Sequence, residues 1–163
     1  MPVGCQMKIV VAMDSFKSSI SAVCACRIVK ETLCSIDPEL DVVSIPMADG
    51  GEGTAEAMLA AREGKWIEVQ TMGPLSSMQV KAGFAFFTDT KVALVEMAKA
   101  SGLELLSAEQ TNPLKTTTFG TGQLIRAAAD YGAEKILLAV GGSATVDGGF
   151  GAAQDAGQLT QRS

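Results

Sequence analysis

The chain has 163 residues, a hydrophobic content of 47% and a formal net charge of −5. These values suit one globular domain, or one domain and part of another, and they exclude a disordered chain. The acidic balance argues against nucleic acid and anionic membranes as partners. The absence of histidine excludes Ser-His-Asp and Cys-His catalysis and His-ligated metals from this chain.

The first strand is predicted at Met7–Met13, as a buried parallel strand. The helix that follows is capped by Ser21 and ends at Asp37-Pro38. A second strand at Asp41–Ile45 and a second helix at Thr54–Arg62 come next. Alternating strands and helices of this kind favour a parallel sheet.

From residue 65 the pattern changes to three strands that are joined by short turns, which predicts antiparallel pairing. The predicted elements of this second part are strands at Trp66–Thr71, Val80–Thr88 and Val92–Met97, a loop at Ser101–Pro113, a helix at Gly122–Tyr131, a buried strand at Lys135–Val140 and a helix that begins at Ala152–Ala156.

We therefore predict an α/β fold with a Rossmann-like parallel sheet and part of a second, strand-rich α/β domain. Residues 7–64 and 112–157 are assigned to the Rossmann-like domain, and residues 65–111 to the second. A parallel sheet with three strands has exposed edges and little cover, which predicts an incomplete domain. Residues 1–6 are expected to be an extension before a natural start at Met7, and residues 158–163 an aberrant polar tail.

The four cysteines lack the spacing of a zinc knuckle or of a redox C-x-x-C pair. We expect these cysteines to be reduced thiols and the protein to be cytoplasmic. The cysteines are Cys5, Cys24, Cys26 and Cys34. No apolar run approaches the roughly 20 residues of a membrane-spanning helix.

Three of the strands run directly into polar, glycine-rich loops that precede helices or turns. In a parallel sheet such loops gather at the carboxyl edge, where these folds bind ligands. The loops are Asp14–Lys17, Asp49–Gly53 and Gly141–Gly149. The sequence therefore predicts that the chemistry lies at this edge.

The first two loops each allow two interpretations. Lys17 can neutralise a phosphate or carboxylate, and Asp14 can be a base or a metal ligand, although a surface turn explains both residues. Asp49 and Glu52 can hold Mg²⁺ or accept hydrogen bonds from a hydroxyl-rich substrate. The alternative for that pair is a D-x-x-E helix cap, which needs no ligand and no extra glycines.

The third loop combines two glycine pairs with Ser143, Thr145 and Asp147, which suits phosphate and Mg²⁺. It is neither the Walker pattern nor the dinucleotide G-x-G-x-x-G, and the missing G-x-G-x-x-G disfavours a dehydrogenase. Residues 116–122 precede a helix and either face a phosphate or cap that helix. Glu96 is either an active-site acid or a half-buried partner of a salt bridge.

Five segments in the same order resemble the bacterial-type glycerate kinase family, from Met7 to about Gly157. These segments are Met7–Lys17, Met47–Thr54, Glu96–Leu103, Asn112–Gly122 and Gly141–Gly149. The resemblance implies ATP-dependent phosphorylation of D-glycerate, usually at the 2-position, between two α/β domains. It also implies that this chain is the amino-terminal portion of a longer protein.

The resemblance implies three groups of site residues. The catalytic candidates are Asp14, Lys17 and Asp147, and Asp147 is also the candidate Mg²⁺ ligand. The substrate-side candidates are Ser15, Asp49, Gly50, Gly51, Glu52 and Gly53. The nucleotide and phosphate candidates are Gly120, Thr121, Gly122, Gly141, Gly142, Ser143 and Thr145. Either Asp14 or Asp147 could act as the base.

Three features depart from the family pattern. Met13 stands where a proline is usual, Asp155 and Gln158 interrupt an Ala-Leu-Gly segment, and the polar end has no counterpart. The last two predict a frameshift or early stop near residue 155. The alternative function is therefore an inactive fragment that retains at most phosphate or nucleotide binding, because binding without assembled positioning gives little rate.

Overall fold

The computed structural model describes residues 7–17 and 19–157. The extension at 1–6, with Cys5, and the tail at 158–163, with Gln158, lie outside the described residues. The elements are β1 (Lys8–Val11), α1 (Ala22–Ile36), β2 (Asp41–Ser44), α2 (Thr54–Ala61), β3 (Lys65–Met72), β4 (Gln79–Phe87), β5 (Val92–Glu96), α3 (Ala98–Ser101), 3-10 turns (Leu103–Leu105 and Ala108–Gln110), α4 (Phe119–Asp130), β6 (Lys135–Ala139) and α5 (Phe150–Ala156).

The first unit is a β-α-β unit with two parallel strands, as predicted. β1 pairs with β2 in a register that places Lys8 opposite Asp41. The Ser21 hydroxyl accepts a hydrogen bond from the Cys24 amide and caps α1, which ends before Asp37. α1 then packs its apolar stripe on the two strands, around the buried side chains of Val11, Cys26 and Val42.

The second unit is a four-stranded sheet in the order β3-β4-β5-β6. The three strands predicted to be antiparallel pair in that way, β3 with β4 and β4 with β5. β6 is parallel to β5, because α3 and α4 carry the chain back across the sheet before β6 begins. The α/β class is thus confirmed.

The pairing of β6 differs from the prediction that it joins β1 and β2. α4 buries Leu124 and Ala128 against Phe84 and Val95 of the four-stranded sheet. The strand that follows α4 therefore lies beside β5 and extends that sheet. The division of the chain into two domains stays a prediction.

α2 covers the opposite face of the four-stranded sheet. Its Ala55 packs with Phe87, Leu94 and Ala139 in a second apolar cluster. The polypeptide that leaves β2 therefore crosses directly onto the second sheet. This crossing brings the loop before α2 close to the carboxyl ends of β5 and β6.

Two strands that were predicted to be buried are half exposed. Val10 in β1 is 54% exposed, and Leu137 and Leu138 in β6 are each 42% exposed. β6 lies at the edge of its sheet, and β1 belongs to a sheet of only two strands. Apolar side chains in such strands lack cover on one side.

The bounds of the other predicted helices and strands agree with the structure to within a few residues. α4 begins at Phe119 rather than Gly122, and α5 begins at Phe150 rather than Ala152. The predicted loop at Ser101–Pro113 contains the two 3-10 turns. Cys24, Cys26 and Cys34 are free thiols. Within the described ranges, no helix combines the length and the apolarity that a membrane crossing requires.

Asp155 is buried between α5 and α4 and pairs with Arg126, whose Nη1 lies 3.1 Å from Asp155 Oδ1. Burial raises the pKa of Asp155 above its ordinary value of about 3.8, although the charge of Arg126 opposes the shift. The folded protein therefore holds this proton more tightly than the unfolded chain does. The stabilising contribution of Asp155 is complete below about pH 3.8 and is lost as the pH rises through the raised pKa.

We expect Asp155→Asn to remove this pH dependence. The free energy of unfolding of the unsubstituted protein, minus that of the variant, should fall as the pH rises from about 3.8 and then become constant. Urea unfolding of both proteins at several pH values measures the difference. A difference that increases with pH would contradict the burial argument.

Candidate active site

The first two loops lie side by side at the carboxyl ends of β1 and β2. The pairing continues beyond the strands, since the amide of Ile45 donates to Val11 O and the amide of Met47 donates to Met13 O, at 2.8 and 2.9 Å. Asp14 and Asp49 follow this extended pairing directly. Both side chains are exposed, as is that of Lys17. The structure thus brings together the loops that the sequence placed at one edge.

The second and third loops touch through their backbones. The Gly141 amide donates to Gly50 O at 3.2 Å. A Cβ atom on Gly141 would lie 2.6 Å from the Cα atom of Gly51, which is closer than carbon atoms can approach. Gly50 and Gly142 both have positive φ, at 90° and 76°. Glycine is therefore required here for close approach and for backbone conformation.

The D-x-x-E cap, the alternative interpretation of Asp49 and Glu52, does not form at the start of α2. The N-cap residue is Gly53, which has a φ of 87° and provides no side-chain hydrogen bond. Asp49 Oδ1 instead accepts a hydrogen bond from the Gly51 amide at 3.0 Å. Glu52 Oε1 lies 3.2 Å from Lys99 Nζ. Asp49 therefore stabilises the loop from within and Glu52 pairs with Lys99, so neither acid caps the helix.

Glu96 takes the place of the missing cap. Its side chain is only 1% exposed, and Oε1 accepts a hydrogen bond from the Ala55 amide at 2.6 Å. Oε2 lies 3.8 Å from Lys99 Nζ. A carboxylate at a helix start is favoured by the dipole of the helix. Of the two interpretations of Glu96, the geometry favours the buried, paired side chain.

We expect Glu96→Ala to lower the free energy of unfolding by about 3 kcal/mol, because it leaves a buried amide without a partner and opens a cavity. Glu96→Gln keeps an acceptor for the Ala55 amide. It should cost about 1 kcal/mol, since a neutral acceptor replaces a charged one. Guanidinium unfolding measures both variants. Equal losses for the two would show that the hydrogen bond to Ala55 is unimportant.

A cluster of charged side chains surrounds the meeting point of the loops. The Glu52 and Glu104 carboxyl groups share a hydrogen bond, which lowers the pKa of Glu52 and raises that of Glu104. Lys99 binds Glu52, and the charge of Lys17 acts on Glu104. Sequence reasoning missed Glu104 and gave Lys99 no role at the site. No local signal identifies their contacts with Glu52, because Glu52 lies about 50 residues away along the chain.

The hydroxyl groups of the third loop donate one hydrogen bond within the loop and one to a neighbouring segment. Ser143 Oγ donates to Thr145 O at 3.1 Å, and Thr145 Oγ1 donates to Thr116 O at 2.8 Å. The backbone continues the attachment, since the Leu103 amide donates to Gly142 O at 2.9 Å. The loop is therefore held along residues 101–103 and 116.

Asp147 is the most heavily bonded side chain of the third loop. Its oxygens accept hydrogen bonds from the Thr118 amide and hydroxyl at 2.8 and 2.9 Å. The amides of Gly149 and Gly151 donate to it at 3.0 and 3.2 Å. Burial alone would raise the pKa of Asp147, but these hydrogen bonds outweigh it and hold the pKa below its ordinary value.

The predicted phosphate ligands Gly120, Thr121 and Gly122 are buried in the first turn of α4. A Cβ atom on Gly120 would lie 1.9 Å from Met72 O, and one on Gly122 would lie 2.6 Å from Ala152 O. Thr121 Oγ1 donates to the buried Ser101 hydroxyl at 2.9 Å. Close packing accounts for these residues without any ligand.

The carboxylates at the meeting point of the loops could provide one or two ligands to Mg²⁺, but not a complete set. Among residues 7–17 and 19–157, no three acidic, cysteine or histidine side chains come together as metal ligands. Mg²⁺ commonly uses one or two carboxylates together with substrate phosphates. Asp14 and Asp49 are exposed and each uses Oδ1 in a local hydrogen bond. They fit this role better than Asp147, whose two oxygens already accept protein hydrogen bonds.

Comparisons with known proteins agree on one family. A sequence profile described as the glycerate kinase family matches residues 9–161. The chain is 46% identical to a glycerate kinase of Haemophilus influenzae and 48% identical to the glycerate 2-kinase of Escherichia coli K12, each over 151 residues. These alignments cover 93% of this chain but 40% and 39% of the two relatives.

A structural comparison gives the same result. The crystal structure of a glycerate kinase 2 candidate from Salmonella typhimurium LT2 superimposes with a TM-score of 0.78 and 47% sequence identity. The match covers 91% of this chain and 40% of that one. The chain thus spans about 40% of the length of the relatives it matches.

Proposed function

This chain belongs to the glycerate kinase family, and we propose that its three loops form part of a site that transfers the γ-phosphoryl group of ATP to a hydroxyl group of D-glycerate. The proposed product is 2-phosphoglycerate. The reaction would serve the breakdown of organic acids in the cytoplasm, a location that the free thiols of Cys24, Cys26 and Cys34 favour.

The contact between Gly141 and the backbone at Gly50–Gly51 is the observation that carries the proposal. It joins the loop expected to bind substrate to the loop expected to bind nucleotide, with no side chain between them. Phosphoryl transfer depends chiefly on holding the hydroxyl in line with the phosphate and on neutralising charge. A backbone-to-backbone contact suits this task because two anionic ligands must lie very near each other.

The loops after β1 and β2 form the substrate side. Lys17 provides an exposed positive charge for the glycerate carboxylate or the transferred phosphate. Asp14 is the proposed acceptor of the hydroxyl proton, since it is exposed and only its Oδ1 is used in a local hydrogen bond. Ser15 and the segment Asp49–Gly53 complete this side. Glu52 is held there by Lys99.

The third loop forms the nucleotide side, where Gly141 and Gly142 allow phosphate groups to approach the backbone. The Ser143 hydroxyl bonds within the loop to Thr145 O, and the Thr145 hydroxyl attaches the loop to Thr116 O. Bound Mg²⁺ would neutralise charge on the phosphates of ATP, and Asp49, whose Oδ2 is outside its local hydrogen bond, is the residue that would hold it. Residues 120–122, proposed for the same side, are buried in the first turn of α4.

A coupled assay with ATP and D-glycerate on the purified chain tests the proposal, with a reaction that lacks glycerate as the control. Phosphorus NMR of the product distinguishes 2-phosphoglycerate from 3-phosphoglycerate. ATP binding without turnover would support the alternative, a chain that only binds nucleotide. If the chain shows no ATP binding and no turnover, the proposed site in this chain is rejected.

A further inference from the structure

The Asp147 carboxylate joins three parts of the polypeptide at one point. The Thr118 amide, at the start of α4, donates to Oδ2 at 2.8 Å. The amides of Gly149 and Gly151, at the start of α5, donate to Oδ1 and Oδ2 at 3.0 and 3.2 Å. Asp147 itself belongs to the glycine loop. Loss of the Asp147 carboxylate would remove these hydrogen bonds between the loop and the starts of α4 and α5.

Thr118 completes the arrangement from the other side. Its side chain is 2% exposed, and its hydroxyl donates to Asp147 Oδ2 at 2.9 Å. The same hydroxyl oxygen accepts a hydrogen bond from the Ala152 amide of α5 at 2.9 Å. Thr118 therefore links Asp147 to α5 a second time. Its methyl group alone could not do so, because both contacts need the hydroxyl.

This geometry is a poor one for a base or a metal ligand. A general base needs a free lone pair directed at the proton it accepts. Both oxygens of Asp147 already face amide and hydroxyl donors of the protein. A Cβ atom on Gly151 would lie 3.1 Å from Asp147 Oδ2, so the backbone of α5 is in close contact with the carboxylate.

We propose that Asp147 and Thr118 are positioning residues, which act together to fix the Gly141–Gly149 loop against the starts of α4 and α5. The nucleotide part of this inference rests on the proposed function, since it assumes that the loop binds the phosphates of ATP. The structural part, that the two residues fix the loop, is independent of the proposed function. The two parts are tested by separate measurements.

Amide hydrogen exchange without nucleotide tests the structural part. We expect Asp147→Asn and Thr118→Val each to accelerate exchange at Gly149, Gly151 and Ala152 by about tenfold, because each removes a charge-assisted contact. Thr118→Ser keeps the hydroxyl and should stay within about twofold of the original protein. Asp130→Asn removes the same charge at the exposed end of α4 and is the matched control.

The double variant provides the decisive comparison. If the two residues act as one unit, Asp147→Asn combined with Thr118→Val accelerates exchange no more than the larger single change. Fully multiplicative effects would overturn the proposal, as would unchanged exchange at Gly149 and Gly151 in Thr118→Val. If Asp147→Asn does not fold, the Thr118→Val and Thr118→Ser pair still gives the answer.

ATP titration tests the nucleotide part. Thr118→Val is expected to weaken ATP binding about tenfold, equally in Mg²⁺ and in EDTA, and Thr118→Ser should restore it. If Asp147→Asn weakens binding only in the presence of Mg²⁺ and Thr118→Val has no effect, Asp147 is a metal ligand and the proposal is wrong. If the original protein does not bind ATP, the proposed function fails, while hydrogen exchange still decides the positioning role.

Discussion

Gly120→Ala is expected to lower the free energy of unfolding by about 4 kcal/mol, enough to unfold a marginal protein. The added Cβ atom would lie 1.9 Å from Met72 O and 3.2 Å from the Cβ atom of Ala100. The first of these neighbours is backbone of β3, so no side-chain rotation relieves the clash. α4 would have to move away from the sheet, and its contacts around Leu124 would open.

Urea unfolding followed by circular dichroism measures this loss. Gly157→Ala is the matched control, because Gly157 has a φ of −61° and open space around its Cβ position. We expect it to change stability by less than about 1 kcal/mol. If Gly120 served only to present its amide to a phosphate, alanine would be tolerated or even favoured in this helical turn. An unchanged stability in Gly120→Ala would therefore refute the packing role.

Gly141→Ala is expected to lower the proposed kinase activity about a hundredfold, since a shift of about 1 Å in a reacting group has an effect of this size. Its Cβ atom would meet the Cα atom of Gly51 at 2.6 Å and the Gly51 nitrogen at 3.2 Å. Both atoms belong to the backbone of the second loop. The two loops must separate, and the hydrogen bond from the Gly141 amide to Gly50 O is then lost.

Exchange of the Gly141 amide proton reports this separation whether or not the protein is active. Gly148→Ala, in the same loop, meets nothing within 4 Å, although its φ of 63° makes alanine cost about 1 kcal/mol. It should leave the Gly141 exchange rate unchanged. Slow exchange of that amide in Gly141→Ala would mean that the loops adjust without separating.

Local chemistry explains most of what the sequence predicted well. The start of α1 depends on one hydroxyl, that of Ser21, and its end on Asp37-Pro38. Both signals lie within a few residues of the structure they determine. The antiparallel pairing of β3, β4 and β5 likewise follows from short connections.

The position of β6 could not be predicted in this way. Its run of apolar residues is typical of a buried strand in any parallel sheet. The choice between the sheet of β1 and β2 and the sheet that contains β5 depends on where α4 packs. That packing involves Leu124 and Phe84, which are 40 residues apart.

The structure brings the predicted loops together, while the roles of the predicted site residues stay predictions. The loops at Asp14 and Asp49 follow two neighbouring strands, whereas the loop at Gly141 follows β6 of the other sheet and meets the second loop through the hydrogen bond from the Gly141 amide to Gly50 O. Glycines at a ligand and glycines at a helix contact look alike in a sequence, which is why Gly120 was assigned to phosphate binding. The close packing of Gly120 becomes visible only when the position of Met72 O is known.

The exposed edge of β6 has a consequence for handling the protein. Its outer backbone groups face away from β5, and the neighbouring side chains of Leu137, Leu138 and Val140 are 42%, 42% and 60% exposed. Such an edge can template pairing with a second molecule, and apolar side chains strengthen the attachment. We therefore expect pairing through β6 to compete with the solution measurements described above. A lysine in place of Leu137 is the substitution that would oppose it, because charged side chains discourage edge-to-edge pairing.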